Sequence, residues 1–317
     1  TSNVKLFLVV VFFFWKRKPE YYNESDFWIF FILRNAMKPD QIATLQREIL
    51  WRYALHGRKL PWRATQDPYA IHISEVMSQQ TQVDRVIPYR KQWIAEIPDY
   101  KSLAQLPKPE LLSHRSGLGF NSRALRLQQC ALEVVDRYQG NLPQSKDQLL
   151  LLPWIWPYTA SAICAFAWNL PEPVIDTNIR RVLIFLLKLE ENISLPALEQ
   201  LAKELIPEGR SRDRHNALMD YGATHLTAKK TKIKSLGKQS KFEGSDREVR
   251  GRILKQLTGN TPVLGKQYSS WDEKRQRRVL LLSDIVQEFP HTEIPKILQT
   301  MEADHLIRYQ NHEIWIE

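Results

Sequence analysis

Two carboxylates roughly a hundred residues apart carry the chemistry that this chain could perform. Glu75 lies in Ser74-Glu75-Val76-Met77-Ser78-Gln79-Gln80-Thr81-Gln82-Val83, and Asp176 in Val174-Ile175-Asp176-Thr177-Asn178-Ile179-Arg180-Arg181. A carboxyl on an amphipathic helix whose buried side carries Val76, Met77 and Val83 sits where desolvation raises its pKa, which suits a general acid. Asp176, beside Asn178 and two arginines, is expected to stay ionised. Carboxyls held in different protonation states suit cleavage through an oxocarbenium-like state, one protonating the leaving group and the other stabilising the positive sugar. The glutamines offer amide donors and acceptors to a base. Each acid also has a plainer reading: Glu75 as a surface or capping residue, and Asp176 as a helix N-cap ahead of Ile179 and Val182, a role compatible with chemistry.

The elements that must position these acids are helical. Apolar residues at helical spacing predict helices over 39–56, 71–82, 84–96, 101–106, 109–114, 121–138, 145–151, 158–168, 176–188, 195–206 and 211–223, with almost no strand-like alternation. Turn residues separate them, as in Gly140-Asn141-Leu142-Pro143 and Asn169-Leu170-Pro171-Glu172-Pro173. The last part differs: 245–258 and 272–289 read as helices, 292–303 as a short amphipathic helix, and 306–309 with 313–316 as two strands. Three helices and a hairpin resemble a winged helix, which either touches DNA or packs on the body.

The chain has 317 residues, of which 43% are hydrophobic, enough for two or three folded domains. Its 45 Lys and Arg outnumber 35 Asp and Glu, and the excess gathers at Lys229, Lys230, Lys232, Lys234, Lys238 and Lys241, at Arg247, Arg250 and Arg252, and from Lys274 to Arg278. A net charge of +10 clustered in this way favours a phosphate backbone over an acidic partner. Cys130 and Cys164 both fall in apolar helical patterns, so they read as core residues of a cytoplasmic, nucleoid-associated protein without disulfides. Residues 4–15 and 27–33 are apolar runs too short for a comfortable membrane span, and neither has the flanks of a signal peptide. Met37 opens the enzyme-like part, so residues 1–36 are expected to be an upstream extension or a poorly structured tail.

Several strings occur in an order and spacing that resemble one family: Leu60-Pro61-Trp62-Arg63, Asp67-Pro68-Tyr69, Glu75 through Val83, Ile87-Pro88-Tyr89, Gly117-Leu118-Gly119-Phe120, Leu152-Pro153 with Pro157-Tyr158-Thr159-Ala160, and Asp176-Thr177-Asn178. These resemble the MutY-type adenine DNA glycosylases of the helix-hairpin-helix superfamily, which also holds endonuclease III, over roughly residues 40–242. The resemblance implies an all-α fold of two lobes, about 68–175 and 39–67 plus 176–242, followed by the winged-helix-like α+β part at 243–317. It implies a monofunctional, monomeric enzyme that flips adenine from a mispair in double-stranded DNA. Glu75 would protonate the adenine and Asp176 would stabilise the sugar cation, with Tyr158 and Asn178 orienting that step. Lyase members of the superfamily carry lysine where Tyr158 stands, and tyrosine cannot form an imine. Trp62, Arg63 and Asn216 would line the base pocket, Asn216 standing where glutamine is more common. Gln80 and Phe120 would wedge the base stack, and Lys229, Lys230 and Lys232 would meet phosphate. A thymine or uracil mismatch glycosylase, or a DNA-binding protein on a decayed scaffold, are the alternatives.

Three departures stand out. The superfamily hairpin normally reads Leu-Pro-Gly-x-Gly, so that backbone N–H groups approach a DNA phosphate, but Trp154 and Trp156 occupy the glycine positions. Either the hairpin has diverged, or the organism reads UGA as glycine and the coding DNA would show it. The four cysteines that ligate an iron–sulfur cluster, separated by six, two and five residues, are replaced by Leu226, Ile233, Leu236 and Phe242. No cluster and no metal are therefore expected, and an apolar cluster would fix the loop. Finally, residues 243–317 are too short and wrongly patterned for the Nudix-like domain that helps many family members recognise 8-oxoguanine, which leaves the opposite base open.

Overall fold

Asp67 and Pro68 begin the helix that matters most. The Asp67 carboxylate accepts from the backbone N–H groups of Tyr69 and Ala70, and Pro68 takes the first helical position, where its missing N–H costs nothing. The helix therefore starts three residues before the predicted 71. A computed structural model of the chain describes residues 39–113, 121–234, 241–259, 270–272 and 277–317. The apolar runs at 4–15 and 27–33, Phe120 and Leu236 lie outside the described residues.

In chain order the elements are α1 (Pro39–His56), α2 (Pro68–Ser78), α3 (Val83–Glu96), α4 (Tyr100–Gln105), α5 (Lys108–Ser113), α6 (Asn121–Tyr138), α7 (Lys146–Leu149), α8 (Pro157–Trp168), α9 (Thr177–Leu187), α10 (Leu195–Glu204), α11 (Ser211–Thr224), α12 (Ala228–Thr231), α13 (Asp246–Leu257), β1 (Ser270–Asp272), β2 (Arg277–Leu281), α14 (Leu282–Glu288), α15 (Ile294–Ala303), β3 (Arg308–Gln310) and β4 (Glu313–Trp315). A 3-10 turn, Pro61–Arg63, precedes α2. Among the described residues no helix is long and apolar enough to cross a membrane.

The described residues form two compact units. One takes those up to Lys59 and those from Cys164 to 234; the other takes Leu60–Ile163 and those from 241 onward. The division falls inside α8, whereas the sequence reading puts the lobe boundary at 175. In the first unit α11 packs on both α1 and α9. Its core joins Ile49 to Ile179, Val182 and Leu183 of α9, Leu198 and Leu201 of α10, and Leu218 of α11. In the second unit α2 is buried throughout, Tyr69 to Met77. A polar chain runs through that core: the Trp93 indole donates to Tyr69 Oη at 3.0 Å, and Tyr69 donates to the Ile97 carbonyl at 2.7 Å.

The segment from 272 to 289 is not one helix. Arg277–Leu281 is a strand, and only Leu282–Glu288 is helical. Val279 and Leu280 are buried, and Leu280 pairs with Ile314, so the ladder to β4 wins over the helical pattern that Val and Leu also permit. The sheet is antiparallel in the order β1-β2-β4-β3. Its β3–β4 hairpin turns through Asn311 and His312, both at positive φ (53° and 65°), as a two-residue turn that matches strand twist requires.

Candidate active site

Glu75 lies one turn before the end of α2, with only 9% of its surface exposed. The Tyr158 hydroxyl at the start of α8 donates to its Oε2 at 2.9 Å. Two arginines brace the helix beneath it. Arg90 of α3 donates to the Ser74 hydroxyl at 2.6 Å, and Arg123 of α6 donates to the carbonyls of Val76 (3.3 Å) and Gln79 (2.9 Å). The helix ends at Ser78 rather than at the predicted 82, because Gln79 leaves helical geometry and Gln80 takes a left-handed φ of 54°. Gln80 is thereby exposed on a turn rather than seated on a helix face. Trp62 and Arg63 sit half-buried in the 3-10 turn shortly before α2.

Asp176 caps α9. Its Oδ1 accepts from the Ile179 N–H at 2.6 Å, and its Oδ2 from the Asn178 side-chain amide at 2.9 Å. Asp176 is thus the N-cap and has Asn178 against it, while Tyr158, which the sequence reading assigns to the same step, is hydrogen-bonded to Glu75. The sequence reading expects Asp176 to stay ionised beside cationic residues, and the structure sets burial against them. Burial is the largest influence and pushes the Asp176 carboxyl up, while the hydrogen bonds from Ile179 and Asn178 and the charge of Arg181 pull it down. The two neighbouring arginines also part company. Arg180 turns away to the carbonyls of Glu191 and Lys234. Arg181 stays, donating from Nη2 to Asn178 Oδ1 (2.6 Å) and the Gly222 carbonyl (2.7 Å), and from Nε to the Leu226 carbonyl (2.6 Å).

This close packing depends on Gly222, where a Cβ would stand 2.8 Å from Asn178 Cβ and 2.9 Å from its carbonyl oxygen. On the same helix Asn216 is buried, and Asp220 holds the loop after α1 by accepting from the Arg58 backbone N–H (2.8 Å) and Nε (2.5 Å). Neither Arg123, Arg181 nor Asp220 was marked as a site residue by the sequence. Arg181 alone had a signal, its position five residues after Asp176.

The hairpin keeps a glycine-like backbone. Leu152 to Ile155 closes through Ile155 N–H to Leu152 O, with Pro153 second and Trp154 third at φ 66°, a position that ordinarily selects glycine. The Trp154 indole folds back onto α6, where its N–H donates to Gln129 Oε1 at 2.5 Å and the Arg126 guanidinium lies 4.4 Å from the ring centre. Trp156 is 62% exposed.

The described positions among those of the expected cysteines, Leu226, Ile233 and Phe242, carry no side chain that could ligate an iron–sulfur cluster. Leu226 and Ile233 are buried in the same apolar core as Ile179 and Val182, and neither offers a donor. Phe242, expected to join that cluster, is instead 58% exposed in the turn before α13, where its carbonyl accepts from Ser245. Among the described residues no three His, Cys, Asp or Glu side chains gather as a metal would require. Between these positions Lys229, Lys230 and Lys232 are exposed on and just after α12.

Residues 73–208 match the HhH-GPD superfamily base excision DNA repair protein family. The chain is 34% identical over 242 residues to the adenine DNA glycosylase of Mycolicibacterium smegmatis, an alignment covering 69% of this chain and 83% of that protein. With the adenine DNA glycosylase of Rattus norvegicus it shares 33% identity over 67% of this chain, which spans 44% of that longer protein. Among solved structures a thermostable thymine-DNA glycosylase is similar, with a TM-score of 0.56 and 28% identity over 60% of this chain and 89% of that one. The chain thus belongs to the HhH-GPD superfamily of base excision DNA repair proteins, in its adenine DNA glycosylase family.

Proposed function

We propose that the protein excises adenine from a mispair in double-stranded DNA, opposite 8-oxoguanine or guanine, by hydrolysis of the N-glycosidic bond. The observation that carries this reading is the hydrogen bond from Tyr158 to the buried Glu75. A carboxyl in an apolar helix with a hydroxyl partner can deliver a proton to a base held above it. Once the adenine is protonated its bond to the sugar breaks, Asp176 stabilises the cation left behind, and a water that Asp176 helps deliver adds to the sugar carbon and gives up its proton. Asn178 orients Asp176, and Tyr158 in place of a lysine leaves no amine for a Schiff base, so the strand is not nicked by this chemistry.

The base is extruded before it reacts, with Gln80 and Phe120 entering the stack and Trp62, Arg63 and Asn216 reading the flipped adenine. Lys229, Lys230 and Lys232 neutralise phosphate, and the protein works as a monomer on nucleoid DNA without an iron–sulfur cluster. A second reading, removal of thymine or uracil from a mismatch, is favoured by the likeness to the thymine-DNA glycosylase and by Asn216. Single-turnover excision on duplexes with adenine opposite 8-oxoguanine, adenine opposite guanine, and thymine or uracil opposite guanine separates the two. Adenine release abolished in both Glu75→Gln and Asp176→Asn supports the first reading; thymine or uracil release alone supports the second. Release from none of them, with binding retained, overturns both.

A further inference from the structure

The turn after α2 has a backbone that needs outside help. Gln80 holds φ 54°, which is unfavourable for a residue with a Cβ, and the last carbonyls of α2 have no helical partner. Local bonds do part of the work: the Thr81 N–H reaches the Ser78 carbonyl at 3.3 Å, and the Thr81 hydroxyl reaches the Gln79 carbonyl at 3.2 Å. A further part comes from Arg123 on α6, forty-four residues beyond Gln79 along the chain. One nitrogen of its guanidinium spans the Val76 and Gln79 carbonyls, joining the helix that bears Glu75 to the turn that presents Gln80. A cation at a helix C-terminus is also favoured by the helix dipole. Burial and the neighbouring Arg126 push Arg123 down to about 10, which leaves it protonated at neutral pH.

We infer that Arg123 is a positioning residue for base extrusion: it clamps the left-handed turn at Gln80 so that this side chain meets the duplex in one orientation. The inference rests on the proposed reading of Gln80 as a wedge. Because the clamp acts on the turn, its loss should fall on extrusion first and on bond cleavage as a consequence.

The test compares Arg123→Met and Arg123→Lys in the full chain. Hydrogen exchange over residues 79–83 is followed without DNA, together with the thermal midpoint. Extrusion is followed by the fluorescence of 2-aminopurine beside the target adenine, and excision under single-turnover conditions. In Arg123→Met, exchange in the turn should rise about tenfold with the midpoint nearly unchanged, as local opening implies. Extrusion amplitude and excision rate should fall together, by about tenfold or more, the size expected when a contacting group loses its orientation. Arg123→Lys, which can still reach one carbonyl, should recover part of both. Exchange in the turn at the wild-type level would overturn the inference, as would excision lost with extrusion intact, or a lysine variant no better than methionine. If the unaltered protein excises no base from any duplex, the functional reading fails, and exchange in the turn alone then upholds or overturns the clamp.

Discussion

Glu75 and Asp176 are two carboxylates placed by opposite means. Glu75 lies inside a helix buried from end to end and meets a hydroxyl, a group that can both give and take a hydrogen bond. Asp176 lies at the first step of a helix and meets N–H groups, one from the backbone and one from Asn178, with Arg181 behind the latter. N–H donors favour the ionised form and fix its two oxygens in space. The helix interior therefore suits a group that must carry and release a proton, whereas at the N-cap the N–H donors and Arg181 oppose a burial that by itself favours the protonated carboxyl.

The largest effect that tests this contrast comes from the acids themselves. Glu75→Gln should lower single-turnover excision by about 10³- to 10⁴-fold, near the upper end for loss of a general acid. Asp176→Asn should lower it by about 10²- to 10³-fold, the range for removing one preorganised electrostatic group. Asparagine is also a good N-cap, so the thermal midpoint of that variant should scarcely move. A larger loss for Asp176→Asn than for Glu75→Gln would reverse the assignment of roles. Because burial raises the Asp176 carboxyl, activity that needs its anion should fail on the acid side at a pH above the ordinary aspartate value of 3.8. An acid limb at or below that value would count against burial as its main influence.

Each unit also encloses a histidine that must stay neutral. Burial lowers His72, one turn before Glu75 in α2, to about 4. His215 goes to about 3, and its Nε2 accepts from the Val174 N–H. The unfolded chain takes up a proton near pH 6.5, whereas folded His72 resists until about 4. Its contribution is thus present above 6.5 and is lost as the pH falls towards the folded value. Between pH 7 and 4.5 this amounts to roughly 2 kcal/mol for His72. Urea unfolding of His72→Gln against the unaltered protein at both pH values should show the gap between them narrowing by about that much on acidification. An unchanged gap would mean that His72 is protonated in the folded state.

Arg181→Met should cost about 2 kcal/mol, because it leaves the Gly222 and Leu226 carbonyls without their donor in a buried setting. It also frees Asn178, so excision should drop about tenfold while the effect of Glu75→Gln stays the same size. If denaturant unfolding is unaltered, the arginine contributes nothing net to that region. The bond to Leu226 matters for a further reason. Leu226 is one of the positions where the resemblance leads one to expect a cysteine, and here its side chain is core while its backbone is tied by Arg181 to the cap at Asp176.

How much of this was legible follows from the range over which each signal acts. The helices at 39–56 and 121–138 match their predicted bounds, since long apolar periodicity decides them. Glu75, Tyr158, Asp176 and Asn178 all lie in short recognisable motifs, and the structure brings them together pairwise, Glu75 with Tyr158 and Asp176 with Asn178. The end of α2 was misjudged because glutamine is a fair helix former and nothing local announces a left-handed Gln80. The strand at Arg277–Leu281 was hidden because one of its two partners lies some thirty residues later, and Val-Leu-Leu suits either structure. Arg123 and Asp220 were invisible because a bond to a distant backbone group leaves no mark in the sequence around it.

The smallest effect concerns how each unit would meet phosphate under the proposed function. The unit with Asp176 offers the exposed Lys229, Lys230 and Lys232, whereas the unit with Glu75 offers the hairpin, whose third turn residue is Trp154 at φ 66°. Replacing Trp154 by glycine relieves a conformation that costs a side-chain-bearing residue about 1–2 kcal/mol. It also gives up the indole contacts with Gln129 and Arg126 and loosens the unfolded chain, each worth about 1 kcal/mol. Stability should therefore shift little. Duplex affinity should respond instead, because Trp154→Gly with Trp156→Gly clears two exposed indoles from a turn whose third residue already has a glycine-like backbone. We expect binding about three- to tenfold tighter, with the salt dependence steeper by about one phosphate contact. Lys230→Ala should flatten the same dependence by about one. Weaker binding in the double glycine variant would mean that the indoles themselves hold DNA, and that the two units engage it by different chemistry, one by charge and the other by stacking.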